Sequence, residues 1–107
     1  MPHDCVTSQL EHLRALCVKH RVRRLDIFGS AADSNGDRFE SGRSDVDFLV
    51  EFEPQPRAGF DDVYFQLLDD LRALFGTKVD LVEAGAVRNR FFRASVEATR
   101  TPIYAAA

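Results

Sequence analysis

Apolar residues along this chain recur at two different spacings. Three segments carry them at helical intervals of three and four residues, namely residues 8–18, 60–75 and 89–99. Three shorter segments are apolar with alternating faces, namely residues 23–28, 45–52 and 78–82. A short terminal segment begins at Pro102. Because helical and extended segments follow one another in this way, the pattern predicts one α/β domain over residues 1–107, in which helices cover a small sheet.

Residues that favour helix ends mark several of these boundaries. Ser8 followed by Glu11 predicts a capping box for the first helix, and Asn89 predicts the N-cap of the last. Gly76 suits the C-cap of the helix over residues 60–75. Residues 33–44 are rich in Ser, Gly, Asn, Asp and Arg and predict a mobile loop between the first two strands.

Composition narrows the kind of protein. The formal net charge of −3 argues against a general nucleic-acid binder, since such a protein normally presents a basic face. Cys5 and Cys17 have no metal-ligand spacing, so we expect reduced thiols in a cytoplasmic protein, with Cys17 buried. No apolar run approaches the roughly 20 residues that cross a bilayer. The histidines have no acid or cysteine beside them in a ligand pair, so we expect surface positions for His3, His12 and His20.

Two acids stand at the head of the second predicted strand. Asp45 and Asp47 are two residues apart, so their side chains share one face and repel each other unless a cation or a partner neutralises them. Asp80 lies on the third predicted strand, and Gly29-Ser30 follows the first. Three carboxylates from adjacent strands suit one or two Mg²⁺ ions. A glycine permits close backbone approach to a phosphate, and the serine hydroxyl can donate to it.

Several other site motifs are missing from the sequence. Gly29-Ser30 lies in neither a G-x-x-x-x-G-K-[ST] frame nor a G-x-S-x-G elbow. Residues 33–44 begin like a calcium loop but carry Arg38 and Ser44 where such a loop needs Gly and Glu. We therefore expect neither a Walker-type nucleotide site, nor a serine hydrolase, nor a calcium site.

The order of these motifs resembles a known family. Gly29-Ser30, then the run SDVDFLV over residues 44–50, then VDLV over residues 79–82 are similar to the minimal nucleotidyltransferases of the DNA polymerase β superfamily. More closely, the chain resembles the MntA-type proteins encoded beside HEPN-domain toxins. The likeness extends to residues 88–97 and 103–105, and so covers most of the chain.

The resemblance implies a fold and a site. The fold would be the polymerase β-like one, a small mixed β-sheet flanked by α-helices. Asp45 and Asp47 would be shared ligands of Mg²⁺, two ions in all, and Asp80 would bind metal and activate the acceptor hydroxyl. Gly29 and Ser30 would hold the triphosphate of ATP.

The resemblance also implies a reaction and a partner. The enzyme would move AMP from ATP to a hydroxyl, a tyrosine of a HEPN toxin, and so act as an antitoxin. The family often has an arginine soon after the serine, whereas here Ala31 follows, and the fourteen residues 31–44 separate Ser30 from Asp45. Arg43, or Arg38, is then the expected partner of the phosphates. Two alternatives stay open: a catalytically weak antitoxin that neutralises its toxin by binding, or a nucleotidyltransferase acting on a small molecule or an RNA end.

Overall fold

The computed structural model describes residues 4–29, 46–54, 60–86 and 89–106. In chain order its elements are α1 (Asp4–Thr7), α2 (Leu10–Lys19), β1 (Val22–Phe28), β2 (Val46–Phe52), α3 (Phe60–Phe75), β3 (Val79–Glu83), a 3-10 turn (Ala84–Ala86), α4 (Arg90–Thr99) and β4 (Thr101–Ala105). The predicted helices and strands are all present, with ends displaced by two residues at most. The loop predicted over residues 33–44 lies outside the described residues.

The strands form one four-stranded sheet in the order β3-β2-β1-β4. β1 pairs antiparallel with both β2 and β4, whereas β2 and β3 are parallel. The sheet is therefore mixed and flanked by helices, which confirms the predicted fold class. β4 was expected only as a short terminal segment. Pro102 is accommodated because β4 lies at the sheet edge, where a residue without an N–H removes no essential ladder bond.

One face of the sheet carries the main hydrophobic core. Apolar side chains of alternate strand residues pack there against α2 and α3, with Val6 of α1 also buried. The core members are Val6, Leu13, Cys17, Val22, Leu25, Ile27, Val46, Phe48, Val50, Phe52, Leu67, Leu68, Leu71, Val79, Leu81 and Ile103. Each fully buried Val, Leu, Ile or Phe contributes about 1.5–3 kcal/mol relative to exposure. This face therefore supplies most of the burial that stabilises the sheet.

The opposite face is covered more sparsely, by α4. Phe28, Leu49 and Val96 form a small second cluster there, with Val82 and Ala84 partly buried against it. Helix α4 therefore packs over the middle of the sheet and leaves the remaining positions of this face open to polar residues.

Two of the three predicted helix caps are confirmed. Gly76 follows α3 with φ +64°, and the Asn89 side chain accepts hydrogen bonds from the amides of Phe91 and Phe92 at 2.9 and 3.2 Å. The predicted Ser8 capping box is wrong. The N-cap of α2 is Gln9, whose side chain makes no capping hydrogen bond, because α1 and a turn occupy the residues before it.

A buried histidine joins α2 and α3, the two helices of the main layer. His20 is only 4% exposed, and its Nε2 lies 2.7 Å from Asp70 Oδ2. Lys19 Nζ lies 3.3 Å from the same oxygen. The surface position expected for His20 is therefore wrong, because its acid comes from a segment fifty residues away. His12 is exposed as expected.

The buried thiol prediction is confirmed. Cys17 is a free, fully buried cysteine, and burial raises the pKa of its thiol from 9.0 to about 12. It is therefore an unreactive core residue rather than a nucleophile. Among the helices that the structure describes, none combines the length and apolar character needed to cross a membrane.

The Asp70–His20 contact should make stability depend on pH. The hydrogen bond with His20 lowers the pKa of Asp70 below its ordinary value of 3.8. A depressed folded-state pKa contributes stability above the unfolded value and loses it as pH falls through the folded one. We expect Asp70→Asn to lower the urea midpoint near pH 6, and the difference from the parent to shrink below pH 3.8.

The control for this prediction is Asp69→Asn, which removes an exposed carboxylate from the same helix. Urea titrations of all three proteins between pH 2.5 and pH 7 provide the comparison. A pH-dependent difference of equal size in the Asp69 variant would attribute the effect to net charge rather than to the contact with His20.

Candidate functional site

Strands β2 and β3 each carry an acid at directly paired positions. Asp47 pairs with Asp80 in the parallel ladder, and Phe28 of β1 pairs with Asp47 from the other side. Directly paired residues point to the same face, on strands about 4.8 Å apart. The two carboxylates therefore lie side by side on the α4 face, next to the end of β1. Asp47 is half-buried and Asp80 is exposed, so a ligand from solvent can reach them.

The turn after β1 lies directly against one of these acids. Gly29 has φ +76°, and a Cβ built on it would be 2.5 Å from Asp47 Oδ2. A glycine suits this position on both counts, because other residues are strained at this φ and their Cβ would displace the Asp47 carboxylate. The Gly29 N–H donates to Thr99 Oγ1 at 2.9 Å, which fixes the turn against the end of α4. The backbone can therefore approach a ligand held by Asp47 closely.

The negative charge of Asp80 affects a neighbouring tyrosine. The Tyr64 hydroxyl donates to the carbonyl oxygen of Leu81, and its pKa is raised above the ordinary 10.0, first by burial and then by the negative charge of Asp80. Two carboxylates on directly paired strand positions destabilise the sheet unless something neutralises them. A divalent cation fits such a pair, since Mg²⁺ takes hard oxygen ligands and uses one or two carboxylates with water and phosphate oxygens.

The structure brings three of the six predicted site residues together. Gly29, Asp47 and Asp80 are adjacent at one end of the sheet. Ser30, Arg43 and Asp45 lie outside the described residues, although Asp45 immediately precedes β2 in the sequence. Within the described ranges no group of three or more His, Cys, Asp or Glu side chains is placed to hold a metal.

Sequence reasoning missed a second polar group on the same face. Asp26 of β1 is fully buried, and Arg100 Nε donates to its carboxylate while Arg24 Nε lies 3.3 Å from it. The hydrogen bond to Asp26 raises the pKa of Arg100, so its guanidinium stays charged. The available signal was a lone acid between Leu25 and Ile27 in an otherwise apolar stretch, a position that burial does not permit without a partner.

Comparison with known sequences identifies two relatives. No family model matches the chain. Two chains of Methanocaldococcus jannaschii named putative protein adenylyltransferase, MJ0128 and MJ1379, are similar to it. The first is 39% identical over 88 residues, which are 81% of this chain and 82% of the relative. The second is 32% identical over 87 residues, again 81% of this chain and 82% of the relative.

Solved structures share the fold. A protein described as a putative minimal nucleotidyltransferase superposes with a TM-score of 0.64 at 28% identity, covering 95% of this chain and 96% of the other. The MNT antitoxin of Shewanella oneidensis, solved in complex with a tri-AMPylated HEPN toxin, gives a TM-score of 0.63 at 14% identity, covering 94% and 72%. A toxin–antitoxin structure with AMP-PNP gives 0.66 at 16% identity, covering 91% and 73%. At identities of 14% and 16% the likeness concerns the fold alone.

A mixed sheet with paired acids beside a glycine turn, together with these relatives, defines a nucleotidyltransferase. Within that class, the chain belongs to the family of the putative protein adenylyltransferases, as its 39% identity to one of them over 81% of its length shows.

The Gly29 contact should be needed for activity beyond its effect on stability. We expect Gly29→Ala to lower the free energy of unfolding by about 1–2 kcal/mol, the cost of a left-handed residue with a Cβ. The new Cβ also displaces the Asp47 carboxylate. Nucleotidyl transfer should therefore fall by about 100-fold, because displacements near 1 Å in a catalytic site have effects of that order.

Gly76→Ala is the matched control. Gly76 also has a positive φ, +64°, but a Cβ there meets nothing within 4 Å. Urea unfolding and transfer rates for both variants separate strain from collision. Equal losses of activity in the two variants, at equal losses of stability, would show that the Asp47 contact is not important for the site.

Proposed function

We propose that this chain is a Mg²⁺-dependent protein adenylyltransferase that moves AMP from ATP to a tyrosine hydroxyl of a HEPN toxin and thereby acts as its antitoxin. The observation that supports this most directly is the pairing of Asp47 with Asp80 beside the glycine turn. Two carboxylates and a backbone turn that admits a phosphate are the parts that transfer at phosphorus needs.

Each residue has a part in holding the nucleotide. Asp47 and Asp80, with Asp45, would hold Mg²⁺, which supplies neutralisation of the triphosphate and of the leaving pyrophosphate when bound. Gly29 lets the backbone come close to the phosphates, and Ser30 would donate its hydroxyl to them. Arg43 would add a positive charge. Positioning and charge neutralisation account for most of the catalysis in reactions of this kind.

The acceptor side of the reaction uses Asp80. The acceptor hydroxyl oxygen attacks the α-phosphorus of ATP, and the bond from that phosphorus to the bridging oxygen of the β-phosphate breaks. Pyrophosphate leaves with that oxygen, and AMP stays bonded to the acceptor. Asp80 takes the hydroxyl proton as general base, which its exposed position on an edge strand permits.

A protein is the acceptor that the surroundings of the site favour. The relatives' names specify protein adenylyltransferases, and one structural relative was solved with an AMPylated HEPN toxin. Helix α4, which covers the face of the acids, exposes Phe91 by 75% and Phe92 by 40%. Large exposed aromatic side chains beside a site are typical of protein contacts. The reaction would take place in the cytoplasm, together with the toxin.

The acids provide the direct test of this proposal. We expect α-labelled ATP with Mg²⁺ to label the HEPN protein encoded beside this chain, on tyrosine. Asp47→Asn and Asp80→Asn should each reduce the rate of labelling by about 100-fold or more, since each carboxylate supplies several kcal/mol of charge neutralisation or base catalysis. Gel autoradiography and mass spectrometry of the toxin provide the readout.

The matched control is Asp69→Asn, which removes an exposed carboxylate on α3, the helix on the other face of the sheet. The Asp69→Asn variant should label the toxin at the same rate as the parent. If the parent binds the toxin but never labels it, and an Asp45→Ala, Asp47→Ala double variant still neutralises it, the chain is a binding antitoxin. Labelling of a small molecule or an RNA end in place of the toxin would instead assign the other acceptor class.

A further inference from the structure

Asp26 is a buried acid on the same face as the catalytic pair but not part of it. Its Cα partner on β2 is Leu49, two residues beyond Asp47, and its side chain is 0% exposed. A carboxylate in such a place is costly unless it is paired and hydrogen-bonded. Its principal partner, Arg100, comes from the end of α4.

Arg100 is held from two sides. Its Nε donates to Asp26, and its Nη1 donates to Glu97 Oε1 at 2.8 Å, one turn earlier in α4. Arg100 is also the C-cap residue of α4. A planar guanidinium with two directed donors fixes orientation more strictly than a point charge does. The Asp26–Arg100 pair therefore fixes the end of α4 over β1.

Thr99 connects the Asp26–Arg100 pair to the turn at Gly29. Thr99 precedes Arg100 and accepts the Gly29 N–H at 2.9 Å through its hydroxyl oxygen. The same hydroxyl lies 3.4 Å from the Ser95 carbonyl oxygen, to which it donates. Gly29 in turn lies close to Asp47, because a Cβ built on it would be 2.5 Å from Asp47 Oδ2. An unbroken set of contacts thus runs from Asp26 to the Asp47 carboxylate.

Apolar packing alone gives α4 little hold on the sheet. Its apolar contact consists of buried Val96 against Phe28 and Leu49, together with an edge-on contact of Phe92 with Phe28, whose ring centroids are 5.9 Å apart. A cavity of about 210 Å³ lies beside that contact, lined by Leu49, Ala84, Arg93, Val96, Glu97 and Arg100. A helix packed this loosely can shift by a fraction of a turn without losing much burial, so directed polar contacts must fix its position.

We propose that Asp26 and Arg100 are positioning residues for nucleotidyl transfer: they fix the end of α4 so that Thr99 holds the Gly29 turn against Asp47. This rests on the proposed use of Gly29 and Asp47 in binding Mg·ATP. A purely structural ion pair would stabilise the fold but leave nucleotide binding per folded molecule unchanged. If the pair is a positioning pair, its removal lowers the nucleotide affinity of the folded protein.

The first test changes Thr99, which is exposed and not needed for the core. Thr99→Val keeps the shape but loses the acceptor for the Gly29 N–H. It should weaken binding of a nonhydrolysable ATP analogue with Mg²⁺ by about two- to tenfold, the value of one ordinary hydrogen bond. Thr99→Ser keeps the hydroxyl and should bind within about twofold of the parent. Calorimetric titration measures each affinity, and KM for ATP should rise more than kcat falls.

The second test is a double-mutant cycle on the same affinity. If Asp26 acts through Thr99, Asp26→Asn with Thr99→Val weakens binding no more than Thr99→Val alone, because the connection is already broken. Asp70→Asn, which removes the part-buried contact with His20 on the far face, is the control and should leave affinity at the parent value. If Asp26→Asn does not fold, Arg100→Lys takes its place in the cycle, because it keeps the charge but loses the Nε donor.

The outcomes separate this inference from the proposed function. Parent-like affinity of Thr99→Val, or additive losses from Asp26→Asn and Thr99→Val, would overturn the positioning role. Rescue by Thr99→Ser with non-additive losses supports it. A parent protein that shows no Mg²⁺-dependent nucleotide binding would instead overturn the proposed function. In that event, ¹⁵N spectra still test whether Arg100 holds Thr99 in place against Gly29. Arg100→Lys should shift the Gly29 amide resonance, whereas Asp70→Asn should not.

Discussion

The alignment of Asp47 with Asp80 depends on the register of two parallel strands, and the main core holds that register. On both strands the residues before and after the acids point into the layer formed by α2 and α3, as the burial of Val46, Phe48, Val79 and Leu81 shows. A slip of one residue would turn those apolar side chains to solvent and bury the acids. Because an unpaired buried carboxylate costs several kcal/mol, the core excludes the alternative registers. The site is therefore specified by residues that never touch a ligand.

The two faces of the sheet divide stability from chemistry. The α2 and α3 face is apolar and tightly packed, and its residues contribute most of the burial. The α4 face carries Asp26, Asp47 and Asp80 among only a few apolar side chains. A sheet that is well packed on one side tolerates charges on the other, where water, a cation or an arginine can reach them. The same division leaves α4 with few apolar contacts, so the ion pair between Arg100 and Asp26 helps to hold it on the sheet.

Local patterns in the sequence were sufficient for most elements but not for contacts between distant segments. Asn89 capped α4 as expected, and α3 began and ended at the predicted residues, because caps and helical spacing are decided within a few positions. Residues 101–105 form a strand because they pair with β1. That pairing depends on the strand order, which the local sequence does not show. Asp70, the partner of His20, and Arg100, the principal partner of Asp26, are fifty and seventy-four residues away, so no local pattern showed them. Within the site, Asp47 and Asp80 could be predicted from the alternation of side chains along a strand and from the family resemblance. The close approach of Gly29 to Asp47 is visible only in the structure.

The position of Asp80 bears on how an acceptor is chosen. β3 is an edge strand, and Asp80 is exposed on it, so within the part of the chain that the structure describes the acid is open to approach from the side of the sheet. An open site of this kind discriminates poorly between hydroxyls by shape, since selectivity by contact needs groups that surround the substrate. On the proposed function, selection of the acceptor then falls to the surface around the acids. That surface includes α4 with its exposed Phe91 and Phe92. A small domain can in this way be specific for one tyrosine without a pocket for it, because docking of the partner supplies the effective concentration and the orientation that a pocket would otherwise provide.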